Sequence, residues 1–245
     1  MRNILFSPPD ITEIEINEVV EALKSGWITT GPKTKEFERR LTAYCGNKAT
    51  LAVNSNTVGL EVVLRWFGVQ EGDEVIVPVY TYCATANVIV HCGAKPVMVD
   101  VNADDFDVCL EKVRRAITNK TKVIMPVDLG GMPCAYDELF ELVETEEVKT
   151  LFQAKTEEQR KLGRILILSD SAHSIGAEYK GRKAGSLADV SVFSFHAVKN
   201  LTTAEGGAIM LNLPEPFDNE EVYRYLCTYT LHGQNKDALA KTKKG

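Results

Sequence analysis

Two short clusters in the 245-residue chain carry side chains that could do chemistry together. Ser169-Asp170-Ser171-Ala172-His173 follows the apolar run Ile165 to Leu168, and Ser194-Phe195-His196-Ala197-Val198-Lys199-Asn200 closes a second apolar run, Val190 to Phe195, before the pair Gly206-Gly207. An isolated acid at a strand end can simply cap the next helix, and an isolated loop lysine can simply be solvated. Together they mean more, because open α/β sheets bind ligands beyond the carboxyl ends of their strands. A lysine amine there can attack a carbonyl or carry a proton, and a nearby carboxylate favours a positive charge on whatever it faces.

A third segment, Asn54-Ser55-Asn56-Thr57, follows the run Leu51 to Val53 and opens a helix carrying Leu60, Val63, Leu64 and Phe67. The start of a helix offers unpaired amides and the positive end of its dipole to an anion. Tyr80 and Tyr82 lie in Pro78 to Thr85 and can either stack on a flat ligand or fill core between helices. No G-x-G-x-x-G or Walker pattern is present, so the expected phosphate site is not that of a dinucleotide or nucleoside triphosphate protein. His91, His196 and His232 form no metal-ligand spacing, and Cys45, Cys83, Cys92, Cys109, Cys134 and Cys227 contain no C-x-x-C pair, so no metal is expected and the thiols read as reduced and mostly buried.

The elements that must hold these residues alternate. Apolar runs at Thr50 to Val53, Glu74 to Val77, Pro96 to Val99, Val123 to Val127, Ile165 to Leu168, Val190 to Phe195 and Gly207 to Leu211 are separated mostly by helix-length segments and lack polar alternation. This predicts an α/β fold, a three-layer α/β/α sandwich on a mainly parallel sheet. Thr12 and Glu15 make a capping box ahead of a helix with Ile16, Val19, Val20 and Leu23 on one face, ended by Gly26. A second helix runs from about Thr34 to Cys45 with Phe37, Leu41 and Tyr44 as its buried stripe. Glu146 to Gly163 reads as a charged, solvent-exposed helical insertion, and Tyr179 to Gly185 as a hairpin about Gly181.

With 44% hydrophobic and 25% charged residues the chain is ordinary globular protein, and its net charge of -6 gives no global pull toward nucleic acid or anionic membrane. The N-terminal apolar stretch is too short for a signal peptide and no run reaches membrane-spanning length, which predicts a cytoplasmic protein.

The combined pattern of Asp170 to His173, Ser194-Phe195-His196, Lys199-Asn200 and Glu205-Gly206-Gly207 resembles the DegT/DnrJ/EryC1/StrS family of sugar aminotransferases, from about Ile4 to His232. The SFHAVKNLTTAEGG stretch is similar to nucleotide-sugar 4-aminotransferases. The resemblance implies the large domain of a fold-type-I enzyme that uses pyridoxal 5'-phosphate (PLP). Lys199 would hold the cofactor as an imine and then move the proton; Asp170 would pair with the pyridine nitrogen; His173 would contact the phenolic oxygen. Thr57 and Ser194 would bind the phosphate, with Asn56 where the family normally has glycine. Tyr82 would stack on one ring face and Ala172 lie against the other, while Trp27 and Thr29 match a substrate-side loop.

The reaction so implied moves an amino group from an amino acid, glutamate first, to a keto group of a nucleotide-linked sugar, in a homodimer. His196 is given no chemistry. Two alternatives stand beside it: a PLP-dependent sugar dehydratase, which carries histidine in place of Lys199, and a non-catalytic regulatory or sensory protein on the same fold. Family members continue past Leu231-His232-Gly233 into a small C-terminal domain that this sequence does not show before Lys241 to Gly245, which predicts residues 1–245 to be the large domain of a longer enzyme.

Overall fold

The computed structural model describes residues 7–234; the closing Lys241 to Gly245 lies outside the described residues. The chain runs α1 (Glu13–Lys24), α2 (Pro32–Cys45), β1 (Ala49–Val53), α3 (Asn56–Trp66), β2 (Glu74–Pro78), α4 (Cys83–His91), β3 (Lys95–Val99), α5 (Leu110–Ala116) and β4 (Thr121–Ile124). It continues α6 (Tyr136–Glu144), α7 (Glu146–Leu151), α8 (Glu157–Leu162), β5 (Leu166–Asp170), β6 (Glu178–Tyr179), β7 (Arg182–Lys183), β8 (Val190–Ser194), β9 (Gly207–Leu211) and α9 (Asn219–Thr230).

Seven strands form one sheet in the order β1-β9-β8-β5-β4-β2-β3. Pairings from β8 through β5, β4 and β2 to β3 are parallel, and β9 runs antiparallel to both β1 and β8. Strand alternation sends Val75, Val77, Leu166, Leu168, Val190, Val192, Ile209 and Leu211 to one face, against α3, α4 and α9. Ile76, Ile124, Ile167, Phe193, Ala208 and Met210 go to the other, against α2, α5 and α6. Both faces are covered, as the unbroken apolar strands require. The expected three-layer sandwich is the observed one.

Several local expectations hold and others need correction. Thr12 closes a full capping box on α1, but none of that helix is buried: Ile16, Val19 and Leu23 of its apolar stripe are exposed. In α2 the buried residues are Glu38, Leu41 and Cys45, and Tyr44 stands half exposed. Glu38 goes inward because β1 is an edge strand: Glu38 Oε1 accepts from the Ala52 amide at 2.9 Å, and Oε2 accepts from Lys35 and the Tyr223 hydroxyl at 3.1 and 2.8 Å. A paired carboxylate thus covers an amide that would otherwise invite another strand. The segment expected as one solvated insertion is two short helices docked on the domain. Val148 and Gln159 are buried, and the Gln159 amide donates to the Phe67 carbonyl at 2.9 Å. The hairpin is present, with Lys180 and Gly181 at φ 49° and 77°, the left-handed pair a tight turn between twisted strands requires. Cys45, Cys92 and Cys134 are buried thiols, while Cys83 is exposed.

At the amino ends of the central strands, Arg164 (5% exposed side chain) grips Asp189 (2%) through two bonds of 2.7 and 2.8 Å. The same carboxylate accepts from the Ile167 amide at 2.9 Å, which ties the start of β5 to the start of β8. Arg164 also donates to Glu144 at 2.7 Å, so Asp189→Ala leaves the buried guanidinium half-paired and the Ile167 amide without its acceptor, and is expected to cost about 3 kcal/mol, read from chemical denaturation midpoints. A loss below about 1 kcal/mol would show that this clamp does not set the strand register.

Candidate active site

The carboxyl ends of β4, β5 and β8 open on a cavity of about 450 Å³. Its wall includes Asn56, Thr57, Tyr82, Asp170, Ala172, His173, Ser194 and Lys199, so eight residues singled out in the sequence meet in one place. Trp27 and Thr29 do not line it. The Trp27 indole instead donates to the Thr30 carbonyl at 3.1 Å and lies where a side chain on Gly31 would be, so it closes its own loop.

Asp170 is the last residue of β5 and is 4% exposed. Its Oδ2 accepts from Thr85 at 2.7 Å, and its Oδ1 accepts from the Asn56 side-chain amide at 3.0 Å and from the Ala172 backbone amide at 3.3 Å. Burial pushes this carboxyl up, and those three donors pull it back. A carboxylate has about four acceptor positions, so three donors leave one open. Thr85 is in turn fixed by Thr81 at 2.7 Å. Neither threonine stood out in the sequence, though Thr85 lies one helical turn beyond Tyr82 and shares its side of α4.

Asn56 opens α3 and lines the cavity. Its side chain turns from the anion end toward Asp170 and the Val192 carbonyl, the latter at 2.7 Å, and its backbone is ordinary helix. Gly207 of β9 passes close against the start of α3. A side chain there would stand 2.7 Å from the Asn56 nitrogen and 2.6 Å from the Ser55 carbonyl carbon. Ser55 caps α3 by accepting from the Val58 amide at 3.2 Å. The Asn56 and Thr57 amides remain in the first turn, where a helix supplies no acceptor, and both residues line the cavity.

Lys199 sits in the loop that joins β8 to β9, whose ends Ser194 and Gly207 pair directly. Phe195 ties the loop shut: its amide donates to the Gly206 carbonyl at 2.8 Å, and its carbonyl accepts from the Thr203 amide at 2.9 Å. Asn200 donates to the Ile175 carbonyl at 2.8 Å, which fixes the loop to the turn after β5. Half-burial pushes the Lys199 ammonium down, opposed by the charge of Asp170. Desolvation and the charge of Lys199 likewise push the His173 imidazolium down, so near neutrality the ring is mostly uncharged.

The two tyrosines part company. Tyr82 precedes α4 and lines the cavity with 78% of its surface exposed, whereas Tyr80 leaves it to meet Phe106 edge-on at 5.7 Å. Neither fills core. His196 and Glu205, given no chemistry in the sequence, also face the cavity. So does Asp128, one strand over from Asp170. The rule that selected Asp170, an acid just past an apolar run, applies equally to Asp128.

Residues 9–244 match the DegT/DnrJ/EryC1/StrS aminotransferase family. Curated relatives include the protein of Methanocaldococcus jannaschii called uncharacterized protein MJ1066, 41% identical over 230 residues, which are 94% of this chain and 54% of that one. The spore coat polysaccharide biosynthesis protein SpsC of Bacillus subtilis is 36% identical over 233 residues, covering 95% of this chain and 54% of that one. Among solved structures, the PLP form of the putative sugar aminotransferase Spr1654 from Streptococcus pneumoniae is 54% identical with a TM-score of 0.92, covering 95% of this chain and 59% of that one. The chain belongs to the DegT/DnrJ/EryC1/StrS aminotransferase family, and it spans a little over half the length of these relatives.

A depressed ammonium is a reactive amine at moderate pH. In ligand-free protein, Lys199 is therefore expected to be acylated by a small amine reagent with a pH midpoint below that of a lysine at its ordinary value. Peptide mass spectrometry of samples labelled from pH 7 to 11 reads this, and a midpoint at or above the ordinary value would contradict the cavity's effect on Lys199.

Proposed function

We propose that this member of the family binds pyridoxal 5'-phosphate in the cavity through Lys199 and, within the whole protein, transfers an amino group from an amino acid to a keto group of a nucleotide-linked sugar. The observation that carries the reading is the conjunction of an amine, a nearly saturated buried carboxylate and a helix N-terminus around one cavity. A phosphorylated pyridine aldehyde needs a lysine, an anion at its ring nitrogen, donors at its phosphate and flat contacts on its faces. The cavity volume is in the range of small-ligand sites, and each requirement has a candidate in its wall.

The residues divide the work by position. Lys199 would bind the cofactor's aldehyde carbon and later hold or return the proton at the reacting carbon; its lowered ammonium keeps part of it as free base. Asp170 has one acceptor position left, and a ring N–H there would give the buried carboxylate the positive partner it lacks. The Thr57 and Asn56 amides, with the Ser194 hydroxyl, would take the phosphate, and Tyr82 and Ala172 the two ring faces. His173, mostly uncharged, would donate to the phenolic oxygen. PLP, when bound, supplies the electron sink that lets a C–H or C–N bond at the amino carbon be made and broken.

Glutamate as donor, a nucleotide-linked sugar as acceptor and a cytoplasmic location are part of this proposal, supported by the family resemblance. The dehydratase alternative lacks its histidine at position 199, and the regulatory alternative predicts cofactor binding without turnover. A panel of keto-sugar nucleotides incubated with glutamate and the whole protein, followed by mass spectrometry, is expected to yield an amino sugar, and Lys199→Ala to yield none while keeping the circular-dichroism spectrum of the parent. No product anywhere in the panel would favour the regulatory reading, and turnover by Lys199→Ala would overturn the assignment of the lysine.

We also propose two-fold association. The cavity is rimmed by exposed Tyr82 and Val198, apolar groups that a second copy would cover. Sedimentation velocity of the whole protein is expected to give a dimer, and a monomer at all working concentrations would refute this.

A further inference from the structure

Two buried carboxylates stand side by side at the floor of the cavity, and only Asp170 has a part so far. Asp128 follows β4 and is 1% exposed. Its amide donates to the Asp170 carbonyl at 3.1 Å, and the Asp170 amide donates to the Pro126 carbonyl at 2.9 Å, so the two residues are fixed to each other through the backbone.

The donors around them separate their roles. Asp128 Oδ1 accepts from the Tyr136 hydroxyl at 2.7 Å and the Cys134 amide at 3.2 Å. Its Oδ2 accepts from Ser174 at 2.6 Å and Ser171 at 3.1 Å. Four donors fill the roughly four acceptor positions of a carboxylate, so Asp128 has none left for a ligand, whereas Asp170 keeps one. Asp128 therefore acts on what it holds.

What it holds is the turn Ser171 to Ser174, whose two ends it grips. Between them lie Ala172 and His173, both in the cavity wall. The Ser169 hydroxyl lies against Tyr136 and 2.7 Å from Ser171; since both of those donate to Asp128, Ser169 donates to one of them and holds it in place. The loop after Asp128 adds a backbone contact: Gly131, at φ 91°, lies where a side chain would come within 3.0 Å of the His173 carbonyl. Serine hydroxyls alone would rotate freely; a shared buried acceptor gives them one direction.

We infer that Asp128 is a positioning residue, which sets Ala172 and His173 against the ligand by clamping both ends of their turn. The inference rests on the proposed cofactor site for its consequence, but the clamp itself is testable without ligand. Ser174→Ala removes one donor and leaves the bonds from Tyr136, Cys134 and Ser171; Asp128→Asn keeps the shape and replaces one acceptor oxygen by a donor. In cofactor-free protein, the His173 imidazole is followed by NMR as pH is raised. Ser174→Ala, which leaves every charge in place, is expected to move its midpoint up toward the ordinary imidazole value as the turn loosens, and Asp128→Asn, which also changes the charge beside the turn, is expected to shift it from the parental value. In the loaded whole protein, both are expected to bind PLP about tenfold more weakly, the size of one buried hydrogen-bond partner lost, with a shifted visible absorption maximum. If Asp128→Asn does not fold, Ser174→Ala decides alone. An unchanged His173 midpoint together with parental PLP affinity and spectrum in the folded variants overturns the inference. Parent protein that takes up no PLP refutes the cofactor reading instead, and leaves the clamp to be judged by the NMR midpoint.

Discussion

A carboxylate taken out of water must be given hydrogen bonds, and the arrangement around Asp170 follows from that demand. Its three donors come from the first turn of α3, the first turn of α4 and the backbone just beyond β5. None of these segments is near another in sequence. The carboxyl end of β5 and the starts of α3 and α4 have to meet at one edge of the sheet before the donors can converge. Moving Asp170 by one position along its strand would turn it to the opposite face and leave Asn56 and Thr85 without their acceptor. The acid thus fixes the register of the site it serves.

The lysine reaches that site by a different route. β9 runs against β8, so the connection between them is a loop that returns over the same strand end rather than a crossover to the far side. Gly207 lets that returning strand pass against the start of α3, at a spacing that leaves no room for a side chain. The anion end and the amine end of the cavity are therefore parts of one packed contact. Asn200 adds the third side by joining the loop to the turn after β5.

Much of this was legible from the sequence, because it depends on local signals. Apolar runs marked all seven strands of the sheet, and the Thr12 capping box and the Gly181 turn were read from residues a few positions apart. The failures share a physical cause: they depend on what lies across space. Glu38 looks like a surface acid on α2 until an unpaired edge strand passes beside it. Tyr44 and the stripe of α1 look like core positions, yet Tyr44 has the Lys183 ammonium over its ring and stays half exposed, and Ile16, Val19 and Leu23 are exposed. The charged stretch after α6 looks solvated, but Gln159 satisfies a carbonyl at the end of α3 that no periodicity announces. At the site, strand-end position selected Asp170 and would equally have selected Asp128; only the number of donors around each distinguishes a group open to ligand from one that is filled.

The same geometry sets the electrostatic state of the ligand-free cavity. Asp170 and Asp128 are pushed up by burial, and Lys199 and His173 are pushed down, so all four are shifted against their charged forms. For a carboxyl raised on folding, the folded state holds its proton more tightly than the unfolded one. Its stabilising effect is present below the unfolded value and is lost as pH rises through the folded value. The amine and imidazole, lowered on folding, oppose the fold while they remain protonated and cease to do so as pH rises above their ordinary values. At neutral pH the acids and the lysine therefore weigh against the fold rather than for it. That cost is the other side of preorganisation: a site whose dipoles and charges are already placed has nothing to rearrange when a ligand with the complementary charges arrives. A dianionic phosphate at α3 and a positive ring nitrogen at Asp170, the ligand groups proposed above, would each meet a group held ready for it.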